Sequence, residues 1–303
     1  MTEDPTGSRA AEAAWRDWCA RRRAELAAPD GWPGLIGLFW LEPGRNAVGS
    51  AEDAVVRLPG GPARLGDIVL QDGRLTWHPA GASGIPINES GVGGEFLRLP
   101  GGPGIPASTA GPVDVSGPST PLASDAAGAP TVLGLDHWRF FVIARDGRYA
   151  VRLRDLDWAS RTPLPPLDYF PFAASWQVDA SWDALAEPLT MEVPSVTGEL
   201  KAVTVSHRAS FRHAGQTVSL LPLSIDESGV FFVFRDRTSG PLTYGGGRFL
   251  KAGPPCDGRL RLDFNRAYNP PCAFSPFATC PLPPPENWLG FPVEAGERKL
   301  DGH

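Results

Sequence analysis

Cysteine is scarce in this chain: Cys19, Cys256, Cys272 and Cys280 are the four among 303 residues. That scarcity excludes a small disulfide-stapled scaffold, and in a reducing cytosol the four are expected as free thiols. A basic excess is missing too, since 28 Lys and Arg face 34 Asp and Glu for a net charge of −6. Binding a phosphate backbone draws on a basic face, so nucleic acid is not an expected partner. No uncharged apolar run approaches the ~20 residues of a membrane span, so no membrane partner is expected either. The N-terminus, Met1-Thr-Glu-Asp-Pro5, is acidic and lacks the basic and apolar regions of a secretory signal. A cytosolic location is the expectation. Gly-x-Ser-x-Gly, Walker, dinucleotide and His-Glu-x-x-His patterns are absent as well. Their absence removes the easily legible enzyme classes, and no cofactor is called for.

Glycine (35) and proline (33) are abundant. Together they exceed a fifth of the chain, which a loop-rich β fold accommodates better than a helical one. Ten Trp and fifteen Phe supply the apolar mass of a packed core.

A helix is expected from Ala10 to about Ala28, a stretch without proline or glycine and rich in Ala, Arg and Glu. Ser8 is placed to cap it and Pro29 to stop it. Ala11, Trp15, Trp18, Cys19, Arg22 and Leu26 fall on one stripe. Arg21, Arg22 and Arg23 read as a solvated face with aliphatic stems on the core rather than an anion site.

The rest reads as short strands. Candidates are Ala54–Leu58, Asp67–Gln71, Arg74–His78, Trp138–Ala144, Tyr149–Arg154, Trp176–Ala180, Leu189–Val193, Leu200–Ser206, Thr217–Leu221, Val230–Arg235 and Arg259–Asn265. Asp72-Gly73 and Asp146-Gly147 are hairpin turn signals. Trp138–Ala144 and Val230–Arg235 are apolar on both faces and should sit centrally. Tyr149–Arg154 alternates apolar residues with Arg148, Arg152 and Arg154, so one face should meet polar surroundings. Residues 79–130 are rich in Gly, Pro, Ala and Ser, and read either as very short strands or as a mobile stretch, with a lid over the site as one reading. The expected fold is all-β: an antiparallel β-sandwich or barrel-like fold with one N-terminal α-helix and long Gly/Pro-rich loops. The expected organisation is a helix at 1–30, a small β subdomain at 31–135 and a main β domain at 136–303.

Chemistry-bearing residues concentrate near the C-terminus, in Thr243–Leu250, Leu262–Cys272 and Cys280–Asn287. On an alternating strand Asp263 and Asn265 share a face, and Pro270-Pro271 push Asn269 into an extended conformation. Two readings fit these residues. In one they line a pocket for a small polar or anionic molecule, with Tyr244, Arg248, Asn265, Arg266, Asn269 and Asn287 as binding residues. Asp263 or Glu286 would then act as general base or acid, Tyr268 as a hydrogen-bond donor, and Cys272 as a further catalytic candidate. In the other, Asp and Asn side chains satisfy loop backbone, and the glycines of Gly245–Gly247 permit a turn. Cys272 and Cys280, separated by seven residues, fit a redox pair, metal ligands, or a nucleophile and a bystander. No further ligands at zinc spacing stand nearby, so no metal is expected. A thiolate nucleophile would want an imidazole or another cation beside it, with His137 or His207 as candidates. Arg152, Arg154, Asp155, Asp157 and Arg161 read as surface ion pairs, and Asp236–Gly240 as a capped structural turn.

These residues carry a resemblance. Gly31-Trp32, Leu35–Glu42, Asp236, Thr238–Gly240, Thr243–Leu250, Asp263–Cys272 and Cys280–Asn287 resemble a bacterial family known as a domain of unknown function, the sixteen-eighty-four family. The resemblance implies a bacterial β-rich protein with residues 236–287 as one functional block. It supplies no reaction and no catalytic residue. The expected function is a cytosolic enzyme acting on a small polar or anionic metabolite by hydrolysis or general acid/base chemistry. The alternative is a non-catalytic small-molecule-binding β-protein.

Overall fold

The computed structural model describes residues 5–80 and 119–300. Most of the 79–130 stretch, with its lid reading, therefore lies outside the described residues. The chain forms two units. A helix-bearing unit comprises 1–26 and 164–303, and an inserted unit comprises 27–163. The division falls at 163/164 rather than at the expected 135/136, and the N-terminal helix belongs with the C-terminal strands.

In the inserted unit, β1 (Leu35–Trp40), β2 (Gly44–Gly49), β3 (Val56–Arg57), β4 (Gly66–Gln71), β5 (Arg74–Pro79) and β6 (Thr120–Pro121) precede a second run. That run is β7 (Val132–Leu135), β8 (Trp138–Arg145), β9 (Arg148–Asp155) and the short helix α2 (Trp158–Arg161). One sheet has the order β3-β2-β4-β5-β6 and the other β1-β9-β8-β7. All pairings are antiparallel except β2 with β3. Val48, Ile68, Trp77, Phe140, Val142, Val151 and Leu153 unite the two sheets in one core. β8 is flanked on both sides, as its two-faced apolar pattern requires; Phe141 and Ile143 on its other face build a second cluster with Ala150. The Asp-Gly turns also form as read. Asp72 and Gly73 have φ of 51° and 73°, and Asp146 and Gly147 48° and 77°, the left-handed pair a tight hairpin needs.

The arginine face of β9 departs from expectation. Arg152 and Arg154 are buried, and their guanidiniums approach the Trp32 ring at 5.5 and 5.2 Å from its centroid. Arg154 donates to the carbonyls of Asp30 and Gly31, and burial lowers its pKa to about 10. Asp155, paired with Arg161, is buried as well, so Arg152, Arg154 and Asp155 are interior, whereas Asp157 and Arg161 form the exposed ion pair expected. An aromatic face and free carbonyls make that interior tolerable for cations.

In the helix-bearing unit, α1 (Pro5–Ala27) starts one turn earlier than expected, with Ser8 inside it. Its stripe is the one expected, with Leu26 fully buried. The strands are β10 (Gln177–Pro194), β11 (Leu200–His213), β12 (Gln216–Leu220), β13 (Ser224–Asp226), β14 (Gly229–Phe234), β15 (Arg248–Ala252) and β16 (Arg259–Asp263). They form the sheets β12-β11-β10-β16 and β13-β14-β15. Ala180, Phe211, Leu220, Phe232, Phe234, Leu250, Leu260, Leu262 and Phe264 make a single core from both. The two strands expected at 176–193 are one strand interrupted between Ala184 and Leu189. Pro188, which has no N–H to give the ladder, lies in that break. Arg248–Leu250, not among the expected strands, is strand: Phe249 and Leu250 pair with Val233 and Phe232 of the central β14.

A buried asparagine fixes the corner between β1 and β2. Asn46 accepts from the Glu42 N–H at 2.9 Å and donates to the Glu42, Gly44 and Ile68 carbonyls at 2.8, 3.2 and 3.2 Å. Asn46→Ala should destabilise the protein by about 2–3 kcal/mol, because buried backbone groups lose partners that no solvent replaces. Urea unfolding followed by tryptophan fluorescence measures it; a loss near zero would show that the corner holds without the amide.

Candidate functional site

The chemistry-bearing residues of the sequence resolve into a buried clasp, a set of amide clips and a pair of thiols. The clasp forms where β14 and β15 end. Phe234 and Arg248 are paired across the two strands, which brings the guanidinium to 5.2 Å from the Phe234 ring centroid. Asp236, two residues beyond β14, holds Arg248 Nη2 through Oδ2 at 2.9 Å. Nη2 also donates to the Val293 carbonyl at 2.9 Å, and Nη1 donates to the Ala295 carbonyl. Asp236 Oδ1 accepts from the Thr238 N–H at 2.8 Å, the Thr238 hydroxyl at 2.6 Å and the Val293 N–H at 3.0 Å. Both charged side chains are 0% exposed. Burial pulls the Arg248 pKa down, and Asp236 opposes that pull. Arg248 thus faces inward, with protein groups as its partners, and Asp236–Gly240 is the capped turn expected.

Two of the three glycines before Arg248, Gly246 and Gly247, have a steric reason. At Gly246 a Cβ would meet Tyr244 Cε1 at 2.6 Å. Gly247 has φ +88°, and a Cβ there would meet Pro283 Cγ at 2.5 Å and the Phe234 carbonyl oxygen at 2.6 Å. They let backbone pass directly beneath Tyr244 and Pro283.

Asn265 and Asn287 repeat the device of Asn46. Asn265 accepts from the Ala173 N–H and donates to the Ala173 carbonyl, both at 3.0 Å. Asn287 makes the same exchange with Leu221 at 2.8 Å each way, and adds a bond to the Val233 carbonyl at 2.9 Å. Asp263 does not share a strand face with Asn265. β16 stops at Asp263, whose carboxylate takes the Asn265 N–H at 3.1 Å and so starts a 3₁₀ turn at Phe264–Arg266. Gln177 and the Asn265 amide also donate to Asp263, both at 3.0 Å, and Arg266 Nε lies 3.3 Å away.

Asn269 belongs to a third cluster, around the fully buried Glu297. The Asn269 N–H donates to Glu297 Oε2 at 2.7 Å, and Arg22 Nε of α1 donates to Oε1 at 3.0 Å. Arg22 is therefore an interior ion-pair partner, not part of a solvated face. Its guanidinium also donates to the Asn269 carbonyl at 3.0 Å and lies 4.7 Å from the Tyr268 ring centroid. The Asn269 amide donates to the Arg298 carbonyl at 2.8 Å, while its buried Oδ1 has no partner. Burial raises the Tyr268 and Tyr169 pKa values, and raises that of Cys19 to about 11.

The thiols are arranged differently. Cys272 sits half-buried on the 3₁₀ turn Pro271–Ala273, and its N–H donates to the sulfur of the buried Cys280 at 3.3 Å. A hydrogen bond from Cys280 lowers the Cys272 pKa against the opposing effect of burial, and Tyr244 assists. The Tyr244 hydroxyl donates to the Cys272 carbonyl at 3.3 Å, and burial pushes its pKa up. The groups acting on Cys272 are thus a thiol and a phenol rather than the imidazole considered from sequence. His207 instead stacks on Trp182 at 5.2 Å, and His213 lies between Trp176 and Phe291. Among the described residues no cluster of His, Cys, Asp or Glu is suited to a metal ion.

The structure brings together Tyr244 with Cys272, and Asp263 with Asn265 and Arg266. Glu286 stands exposed on the 3₁₀ turn Pro285–Asn287. Asp236, Glu297 and Arg22 were not foreseen as partners. Glu297 lies in a Glu-Arg-Lys run that reads as solvated surface, so no local signal marks it.

Residues 164–298 match the family described as a protein of unknown function (DUF1684), and over that segment the chain belongs to it. The match begins at the residue where the helix-bearing unit resumes. The earlier pieces of the resemblance, Gly31-Trp32 and Leu35–Glu42, fall outside it. Among solved structures, the uncharacterized protein from gene locus rrnAC0354 of Haloarcula marismortui is 30% identical, with a TM-score of 0.38. That likeness covers 48% of this chain and 89% of the other. No curated protein matches the chain.

Asp236→Asn should cost about 3–5 kcal/mol in denaturant unfolding, because it strands a buried guanidinium. The double change Asp236→Leu with Arg248→Met should lose less than the sum of the single changes; strict additivity would mean that the pair is not a unit. Peptide mapping after iodoacetamide treatment of native protein at pH 8 should find Cys19 unmodified and the exposed Cys256 alkylated. Modification of Cys19 to the same extent would contradict its placement against the core.

Proposed function

We propose that the helix-bearing unit is a cytosolic thiol enzyme that hydrolyses a small polar acyl compound, with Cys272 as the nucleophile. The observation that carries this reading is the contrast among buried polar groups. Arg248, Asn265, Asn287 and Asp236 are committed to the protein's own backbone and charges, whereas Cys272 is half-buried and made more acidic by Cys280. A thiol whose pKa is lowered on a residue that is only half-buried has the properties of a nucleophile. Its thiolate would attack an acyl carbonyl carbon, forming a C–S bond while the carbonyl electron pair moves to oxygen. Tyr244, kept protonated by burial, would donate a hydrogen bond to that oxygen. Collapse expels the alkoxide or amine, which takes a proton from water. A second water then cleaves the thioester and returns the thiol. A cytosolic setting suits a free thiol of this kind.

The non-catalytic alternative has its own support. The engagement of Arg248, Asn265 and Asn287 with backbone and Asp236 is what a structural polar network would display, and it leaves Cys272 as a packed side chain.

The two are separated by reactivity. Because the Cys272 pKa is lowered, its alkylation by iodoacetamide should reach half-maximum below the ordinary thiol value of about 8.5, and Cys280→Ala should move that midpoint upward. With 4-nitrophenyl acetate, a burst of nitrophenolate should accompany acetylation of Cys272, and Cys272→Ala should abolish it. An alkylation midpoint at or above the ordinary value, with no acetyl group on Cys272, would favour the binding protein.

A further inference from the structure

We infer that Cys272 and Cys280 form a reversible disulfide with a low-molecular-weight disulfide as oxidant, so that the block carries a redox modification site. The argument is geometric. Cys280 Sγ already accepts the Cys272 N–H at 3.3 Å, so the second sulfur lies directly against the first cysteine. From that contact, rotation of the Cys272 side chain brings its sulfur toward the S–S bond length of about 2.05 Å.

The backbone on both sides is fixed. Cys272 lies on a 3₁₀ turn entered through Pro270 and Pro271. Cys280 is held by its own carbonyl, which accepts the Val196 N–H at 3.0 Å, and by the bridge of Pro281 to Ser195. Seven residues separate the pair, so closing the ring confines little chain. Exposure assigns the order of events: Cys272 is half-buried and meets the reagent first, and buried Cys280 resolves.

The step balances as follows. The Cys272 thiolate attacks one sulfur of RSSR, the reagent's S–S bond breaks, and RS⁻ leaves to be protonated as RSH. Cys280, giving its proton to water, attacks the Cys272 sulfur of the mixed disulfide. The second RS⁻ leaves and is protonated in turn. Two protein thiols are oxidised, and one RSSR is reduced to two RSH. The pair's consequence for activity rests on the nucleophile reading above: with its sulfur in the disulfide, Cys272 no longer attacks an acyl group. The disulfide itself does not rest on that reading.

The test incubates native protein with oxidised glutathione, blocks free thiols, and maps tryptic peptides. Cys272 and Cys280 share the peptide spanning residues 267–298, because no Lys or Arg intervenes, while Cys256 falls in the peptide spanning residues 252–259. The expected result is a 267–298 peptide lighter by two hydrogens, restored by dithiothreitol. Cys280→Ser should stop at one glutathione on Cys272, and Cys272→Ser should leave Cys280 unmodified. A wild-type protein that keeps glutathione on Cys272 and never closes the internal bond overturns the inference, while leaving the nucleophile reading intact. A Cys272 that reacts with neither glutathione disulfide nor 4-nitrophenyl acetate overturns both.

Discussion

A guanidinium and a carboxylate without solvent set the terms for the helix-bearing unit. Removing two charges from water is costly, and their attraction repays that cost when the remaining donors and acceptors are also met. Here they largely are. Asp236 accepts from Thr238, Val293 and Arg248, and Arg248 answers Val293 and Ala295. The end of β14, the start of β15 and the segment around Val293 are thereby tied at one point. That segment has no sheet ladder there, so its backbone relies on the pair. The thiols occupy a neighbouring stretch of the same block, where Pro283 packs against Gly247 and Tyr244 reaches Cys272.

A chain with 35 glycines and 33 prolines must solve a further problem. Its irregular segments carry peptide groups with no ladder partner, and buried peptide groups need partners. Asparagine supplies them because its amide presents the same donor and acceptor as a peptide. Asn46, Asn265 and Asn287 each exchange two hydrogen bonds with one backbone residue, Glu42, Ala173 and Leu221 respectively. Each behaves as a one-residue strand. Residues that look chemically equipped on paper are thus spent on architecture, and two of the three lie in the block singled out for chemistry.

Periodicity and turn chemistry made most of the strands legible. The two-faced apolar runs of β8 and β14 announced central strands, and the Asp-Gly pairs announced left-handed turns. Legibility failed where a long-range partner decided the outcome. The arginines of β9 read as polar because nothing local discloses Trp32 above them. Arg248 read as a ligand anchor because Asp236 and the Val293 segment are distant in sequence. Asp263 and Asn265 read as neighbours on a strand, yet the Asp263 carboxylate caps the next turn and ends the alternation. The capped turn at Asp236, by contrast, is a local hydrogen-bond pattern, and it was readable. Cys272 and Cys280 were visible as a pair; that Cys280 acts on Cys272 depends on the fold.

The family segment and the folding unit are not the same object. The family match starts at residue 164, yet α1, far upstream, is built into that domain. Trp15 donates its indole N–H to the Asn265 carbonyl at 2.9 Å, and Arg22 supplies the cation for Glu297 at 3.0 Å. Without Arg22, Glu297 would keep the Asn269 N–H but lose its ion-pair partner in the interior, a loss that costs about 3–5 kcal/mol. A chain beginning at residue 164 would also uncover the face that Trp15, Trp18 and Leu26 cover. The 27–163 unit is therefore an insertion between a helix and the domain that needs it, and the domain's stability depends on residues that its own sequence segment does not contain.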